Sequence, residues 1–213
     1  MTVTTPADTF SVQYLAAEDI SIAGSLIYQA YHDDPVLQSV LNYTAESKSS
    51  YEKKLRSLIR EELSSFWQQH QPLIGLYRND KLNAVACVFE SNSQLPAQRY
   101  WHWRLKLMLS AGYLQTNQLI EKEQTIRDAL QPLGNYYFLA FIAVDPHFHR
   151  QGLGRYLLRG LDDLVNSNSQ ATGLAVFVTR SEHTTFFKTE GFTSFKQLTF
   201  NRVEGELLFK ASE

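Results

Sequence analysis

Apolar residues recur along this chain with two periods, one typical of helices and one typical of strands. Ile20, Ala23 and Ile27 are spaced three or four residues apart, which predicts a helix with one buried face that ends at the turn sequence 32–35. The same spacing over residues 51–69 predicts a second helix.

Strand-like runs separate and follow these helices. Predicted strands cover residues 10–15, 73–77, 82–89, 136–144, 174–179, 195–200 and 206–209. Asn79-Asp80-Lys81 separates two of them and predicts an antiparallel hairpin, because Asn and Asp tolerate turn conformations. Residues 136–144 are all apolar or aromatic and predict a central strand, while residues 183–190 predict a short helix. The order of elements predicts one α/β domain over residues 1–213.

A loop with the composition of an anion site follows the central strand. It reads His149-Arg150-Gln151-Gly152-Leu153-Gly154-Arg155 and leads into an apolar stripe that predicts a helix over residues 152–166. In this order, loop amides and the free amides of the first helical turn can converge on one phosphate, assisted by the helix dipole. Two glycines before a helix also occur in ordinary turns, so the spacing alone leaves both interpretations open. The glycine motifs of P-loop and dinucleotide-binding proteins are both missing from the sequence.

At these residues the chain resembles the GCN5-related N-acetyltransferase (GNAT) superfamily. The pyrophosphate loop of that family reads Arg or Gln, two residues, Gly, one residue, then Gly or Ala, and here His149 stands at the first position. Residues 143–146 before the loop are also similar to the family. The segment from Phe187 to Phe192 resembles its closing motif, Tyr, three residues, Gly-Phe, with Phe187 in place of the tyrosine. The resemblance rests on motifs at 136–192 and on element order elsewhere.

The resemblance implies a GNAT-like fold: a mixed, mostly antiparallel central sheet flanked by helices, with a helical insertion around 94–132. It also implies an N-acetyltransferase that moves an acetyl group from acetyl-CoA, as co-substrate, to a primary amine by direct attack in a ternary complex. Pantetheine is then expected to pair with the main chain of Ile142, Ala143 and Val144. The other residues expected to bind the cofactor are Arg150, Gln151, Gly152, Leu153, Gly154, Arg155 and Phe187.

The catalytic residues are harder to transfer from the family. A main-chain N–H near Ile142 is expected to polarise the thioester carbonyl. Histone-type members carry a glutamate base on the central strand, but this strand has no carboxylate before Asp145. Candidates near the loop are Tyr136, Tyr137, His147, Glu182 and His183, of which Tyr137 and Glu182 are our catalytic candidates; ordinary loop or surface placement is the favoured interpretation of the histidines. Phe187 has no hydroxyl to protonate the leaving thiolate.

The missing hydroxyl and the missing strand carboxylate keep a second hypothesis open. The chain would then be a non-catalytic acyl-CoA-binding sensor or interaction domain on the same fold. Residues 94–132 are expected to form two helices broken near Gly112. Aromatic residues there could wall an acceptor pocket, although core packing is the favoured interpretation of such spacing. They are Tyr100, Trp101, His102, Trp103 and Tyr113.

The composition of the chain limits which binding partners are expected. Twenty basic and 22 acidic side chains give a net charge of −2 without a long run of either sign, so no nucleic-acid partner is expected. No apolar run is long enough for a membrane span and no signal sequence is evident, so a soluble, cytoplasmic protein is expected. The six histidines and single cysteine, Cys87, do not form a zinc pattern, so no metal is expected. The acceptor is expected to be a small-molecule or peptide amine, and the oligomeric state, including a homodimer, stays open.

Overall fold

A seven-stranded sheet forms the centre of the molecule. The structure is a computed structural model that describes residues 9–91, 108 and 112–213. The strands are β1 (Phe10–Tyr14), β2 (Leu73–Arg78), β3 (Lys81–Glu90), β4 (Tyr137–Val144), β5 (Gly173–Val178), β6 (Thr193–Phe200) and β7 (Val203–Ala211). Their order in the sheet is β1-β2-β3-β4-β5-β7-β6, and every neighbouring pair is antiparallel except β4 and β5. The predicted mixed, mostly antiparallel sheet is therefore confirmed.

Helices cover both faces of this sheet. They are α1 (Ile20–Tyr31), α2 (Pro35–Val40), α3 (Lys48–Gln68), α4 (Tyr113–Leu130), α5 (Leu153–Asn166) and α6 (Ser181–Thr189). Alternate residues of β3 divide between the two faces: Val85 and Cys87 pack with α1–α3, whereas Ala84 and Ala86 pack with the leucine stripe of α5. This alternation is the period of two that a strand imposes on its side chains.

Three details differ from the sequence predictions or extend them. Helix α2 was not predicted, because the Pro35 that ends one helix also begins the next: Asp34 caps it and its Oδ1 accepts from the Leu37 amide at 2.8 Å. In the insertion, α4 begins after Gly112 as expected. The first of the two predicted helices, with Tyr100, Trp101, His102 and Trp103, lies outside the described residues.

The sheet opens between its two parallel strands. β4 pairs with β5 only from Tyr137 to Leu139, although β4 continues to Val144. On its other edge β4 stays paired with β3, and there Ala140 is an extra residue between Leu139, opposite Val88, and Phe141, opposite Cys87. Such a bulge bends a strand. The edge of β4 from Ala140 onward is therefore left without a β5 partner.

Candidate active site

The loop after β4, which we call the anion loop (residues 149–155), has two residues in left-handed conformations. Arg150 has φ of 60° and Gly152 has φ of 83°. Successive amides in this type of turn form a concave nest for an anion, and α5 begins directly afterwards at Leu153. A Cβ built on Gly152 would meet no heavy atom within 4 Å, so the loop surface is open at that point. The predicted order of strand, loop and helix is thus present, and binding of an anion there stays a prediction.

Side chains of the loop are mostly engaged with the protein. Arg155 donates from Nε to Glu190 Oε1 at 2.8 Å, and the Gln151 amide contacts Arg78 and the His147 carbonyl, each at 3.4 Å. The ring Nε2 of His149 lies 3.0 Å from the carbonyl oxygen of Val144. His149, which stands where the family has Arg or Gln, therefore contacts the main chain at the end of β4. An anion at this loop would therefore be bound chiefly by main-chain amides.

The free edge of β4 meets a tyrosine from α1. The Ile142 amide donates to the Tyr31 hydroxyl at 3.1 Å, and the Tyr31 ring packs edge-to-face on Phe141 with centroids 5.1 Å apart. Burial raises the pKa of Tyr31 far above its ordinary value, so the hydroxyl stays protonated. The amide expected to polarise a thioester is thus already bonded to a side chain.

A cavity of about 190 Å³ adjoins this tyrosine on the α1–α4 side of the sheet. Its floor is the part of β4 at the bulge together with the end of β5, and its walls are helices α2, α3 and α4. The ionisable residues that line it are Tyr31, Asp34, Glu62, Lys122, Glu123 and Arg127. Aromatic walls are supplied by Phe66, Phe89, Phe138, Phe141 and Phe177. We call this space the acceptor cavity.

Five charged side chains interact electrostatically inside the acceptor cavity. Burial raises the pKa of Glu62 to about 8, with a smaller upward contribution from Glu123 and an opposing one from Lys122. Burial lowers the pKa of Lys122, against the attraction of Asp34, Glu62 and Glu123. Glu123 is already paired with Arg127, at 2.8 and 3.0 Å. Within the described part of the chain, by contrast, Glu62 forms neither a hydrogen bond nor a close ion pair.

Asp34 connects the cavity to the end of β5. One carboxylate oxygen caps α2, and the other accepts from the Thr179 hydroxyl at 3.3 Å. Its neighbours in sequence face elsewhere: Asp33 bonds His32, whose ring packs against Tyr51. Of this acidic turn, only Asp34 lines the cavity.

Several solved structures with a similar fold are named acetyltransferases. A histone acetyltransferase HPA2 and related acetyltransferase from Corynebacterium glutamicum has a TM-score of 0.66 at 12% identity, over 96% of this chain and 97% of that chain. An agmatine N-acetyltransferase has a TM-score of 0.62 at 10% identity, over 95% of this chain and 99% of that chain. A mosquito protein named arylalkylamine N-acetyltransferase like 5b has a TM-score of 0.60 at 13% identity, over 95% of this chain and 100% of that chain. The chain has the GNAT fold.

Sequence similarity gives no comparable match. No protein-family model matches the chain, and no curated protein is significantly similar to it in sequence. The resemblance seen in the GNAT motifs is therefore supported by the three-dimensional fold. At sequence identities this low, the similarity establishes the fold alone.

The predicted GNAT site residues are only partly brought together. Ile142, Ala143 and Val144 lie on the free part of β4, and residues 150–155 form the loop at its end. Tyr137 lies five residues before Ile142, roughly 17 Å along the strand, and its hydroxyl bonds Glu90 and Asn168. Glu182 is exposed in the first turn of α6, 3.8 Å from Arg180. Neither Tyr137 nor Glu182 lines the acceptor cavity.

The aromatic residue in the position of the GNAT tyrosine is buried. Phe187 is 3% exposed and packs edge-to-face against Phe186 and Phe192 on the α5 side of the sheet. The ring that approaches the anion loop is that of Phe186, since a Cβ on Gly154 would lie 3.3 Å from its Cζ. Contact of Phe187 with a cofactor stays a prediction.

Other candidates from the sequence lie at the surface or in the core. His147 is exposed and bonds Asp145 at 2.8 Å, while Tyr136 is buried near Arg127 and Glu123. Burial lowers the pKa of His183, which lies in the first turn of α6. Tyr113 is exposed, whereas Lys122, Glu123 and Arg127, further along the same helix, do line the cavity.

Sequence reasoning missed Glu62, the most perturbed carboxyl of the cavity. It lies beside Leu63 on α3, among residues whose pattern predicts an ordinary amphipathic helix. A signal did exist, because Glu62 falls four residues after Leu58 and three after Ile59, on the apolar stripe. None of the described helices is long and apolar enough to cross a membrane, and the described residues contain no group of three or more metal-ligating side chains.

Proposed function

We propose that this chain is an N-acetyltransferase that transfers an acetyl group from acetyl-CoA to a primary amine. The observation that carries the proposal is the acceptor cavity beside the free edge of β4, with the carboxyl of Glu62 in its wall. The GNAT fold and the acetyltransferase activities named for its structural neighbours support it.

The residues expected to hold acetyl-CoA fit the group. Main-chain amides of the anion loop and the first turn of α5 would bind the pyrophosphate, and the empty space over Gly152 leaves room for it. The edge of β4 beyond Leu139 would pair with the pantetheine, as an added strand pairs with a sheet edge. This arrangement would direct the thioester towards Tyr31 and the acceptor cavity.

Glu62 is the general base that we propose. An alkylamine has a pKa near that of lysine, about 10.4, and must lose a proton before it attacks. A carboxyl with a pKa of about 8 is a better proton acceptor than an exposed glutamate, because a base works best when its pKa lies near the working pH. Ionised Glu62 would take the ammonium proton, and the neutral amine would then attack the thioester carbon.

The leaving thiolate does not require a proton donor at position 187, where this chain has Phe187. The thiol of CoA has a pKa close to that of a cysteine, about 8.5, so the thiolate can leave without a dedicated proton donor. After attack the nitrogen of the tetrahedral intermediate carries one further proton, which passes to solvent, while the thiolate takes up one proton from solvent. Glu62 then releases the ammonium proton to solvent, so the net products are the amide, the CoA thiol and one proton. The buried position of Phe187 is compatible with this route.

A small amine is the acceptor that we propose. Two structural neighbours are named for agmatine and for arylalkylamines, which are small amines. In this chain the carboxyls of Asp34 and Glu62 lie within a cavity with aromatic walls, which suits an amine with an apolar or aromatic body.

Release of CoA from acetyl-CoA in the presence of an amine panel tests the proposal. We expect turnover with at least one small amine, and we expect Glu62→Gln to lower kcat by about 100-fold, the lower range for general base catalysis. Glu61→Gln on the same helix is the matched control, because Glu61 does not line the cavity. Acetyl-CoA binding without turnover of any amine would favour the sensor hypothesis, for which the missing hydroxyl at Phe187 is the motivation.

A further inference from the structure

Tyr31 lies between the acceptor cavity and the free edge of β4. Its hydroxyl oxygen accepts the Ile142 N–H at 3.1 Å, and its side chain lines the cavity. A phenol has one proton to donate. Within the described residues, no acceptor binds that proton. The Tyr31 O–H is therefore free to donate a hydrogen bond at this place, whereas the Ile142 N–H is already used.

We infer that the Tyr31 hydroxyl, supported by the Ile142 amide, donates the hydrogen bond that polarises the thioester carbonyl of acetyl-CoA. The inference rests on the proposed function. Polarisation of the thioester carbonyl, which was expected of the main chain of β4, is thereby assigned to a catalytic residue on α1. The Ile142 N–H then acts on the substrate through Tyr31, since one hydrogen bond polarises the next in a chain.

The environment of the hydroxyl suits a donor that keeps its proton. Burial and the nearby charge of Asp34 both raise the pKa of Tyr31. The resulting phenol is a much weaker acid than the CoA thiol, whose pKa is about 8.5, so proton transfer to the leaving thiolate is unfavourable. Tyr31 thus stabilises the negative charge that develops on the carbonyl oxygen, and no bond of Tyr31 breaks during the reaction.

The ring of Tyr31 is held independently of its hydroxyl. It packs on Phe141, which is part of the same free segment of β4. Tyr31→Phe therefore removes the donor and leaves the aromatic packing in place. It also returns the Ile142 N–H to the cavity, so the variant compares the two donors directly.

The test measures wild-type turnover first and then compares Tyr31→Phe with Tyr51→Phe. Tyr51 is the matched control: its hydroxyl donates to the His32 carbonyl at 2.7 Å, and it does not line the cavity. We expect kcat to fall about 100-fold in Tyr31→Phe, the typical loss for one oxyanion donor, and to stay near wild type in Tyr51→Phe. A purely structural role would not change the ratio of acetyl-CoA to CoA affinity. We expect that ratio to fall only in Tyr31→Phe, because CoA has no carbonyl at this position.

The outcomes separate the two proposals. Full activity in a folded Tyr31→Phe variant overturns the inference and leaves the proposed function intact, with Ile142 as the donor. A wild-type protein that turns over no amine overturns the proposed function and this inference with it. If Tyr31→Phe does not fold, 3-fluorotyrosine at position 31 keeps the packing and strengthens the donor. The preference for acetyl-CoA over CoA should then rise, and an unchanged preference overturns the inference.

Discussion

Arg155 and Glu190 form an ion pair between the anion loop and the end of α6, with Nε and Oε1 2.8 Å apart. Arg155 is one of the loop residues expected to bind the cofactor, and in the structure its guanidinium is engaged by a carboxylate from the closing motif. Glu190 also places a negative charge close to the loop. Both effects oppose binding of an anion, so we expect the pair to limit affinity for CoA.

Glu190→Gln should therefore tighten CoA binding by a few-fold. The change releases the Arg155 side chain to approach the phosphates and removes a nearby negative charge. Since an added cation–phosphate contact is screened by salt, affinity should also become more dependent on ionic strength. Calorimetric titration at two salt concentrations measures this. Glu204→Gln on β7 changes the net charge equally at an exposed position and serves as the control. Weaker binding in Glu190→Gln would contradict the account.

The pH dependence of turnover should report the carboxyl of Glu62. The rate of acetyl transfer is expected to rise with pH through an apparent pKa of about 8, as Glu62 loses its proton. Lys122→Met should move this limb to higher pH, because Lys122 lowers the pKa of Glu62. Glu123→Gln should move it to lower pH, because Glu123 raises that pKa. A limb that shifts in the same direction in both variants, or in neither, would exclude Glu62 as the base.

Stability should depend on the same carboxyl in a predictable direction. The pKa of Glu62 rises from 4.5 to about 8 on folding, so the unfolded chain ionises first as pH rises. The stabilising contribution of the protonated group is complete below pH 4.5 and is lost progressively up to about pH 8. The free energy of unfolding of the wild type, relative to Glu62→Gln, should fall across this window in urea denaturation. A difference that grows with pH would contradict the assigned burial.

Gly152→Ala should weaken CoA binding as well as folding. A residue with a Cβ at φ of 83° costs about 1 kcal/mol, and the added methyl group would occupy the open surface of the loop. Gly134→Ala is the control, because Gly134 also has positive φ and empty space around its Cβ position but lies at the opposite end of β4. Thermal unfolding should show destabilisation in both variants, and calorimetry should show lost CoA affinity only in Gly152→Ala. Equal affinity in the two variants would remove Gly152 from the binding site.

Much of the fold was predictable because its signals are local. The hairpin at Asn79, the central strand and the helix after Gly152 depend on spacing and turn residues within short segments, and all three are present in the structure. Helix α2 was missed because a proline marks both the end of one helix and the start of another. Its capping carboxylate, Asp34, became interpretable only when the fold placed it beside Thr179.

The acceptor cavity was not predictable in the same way. Glu62, Lys122 and Tyr31 come from three helices separated by long stretches of sequence, and only the fold brings them together. The bond between Tyr31 and Ile142 joins residues 111 positions apart. Sequence motifs predicted the side of the site that we propose binds CoA, because a loop and a helix start carry that chemistry. The side that we propose binds the acceptor depends on long-range packing.

The most direct measurement is calorimetric titration of the full chain with acetyl-CoA and, separately, with CoA. We expect both to bind in the micromolar range, with acetyl-CoA preferred because Tyr31 would donate a hydrogen bond to its carbonyl group. Absence of binding to the folded protein would contradict the assignment of the anion loop and of the whole site.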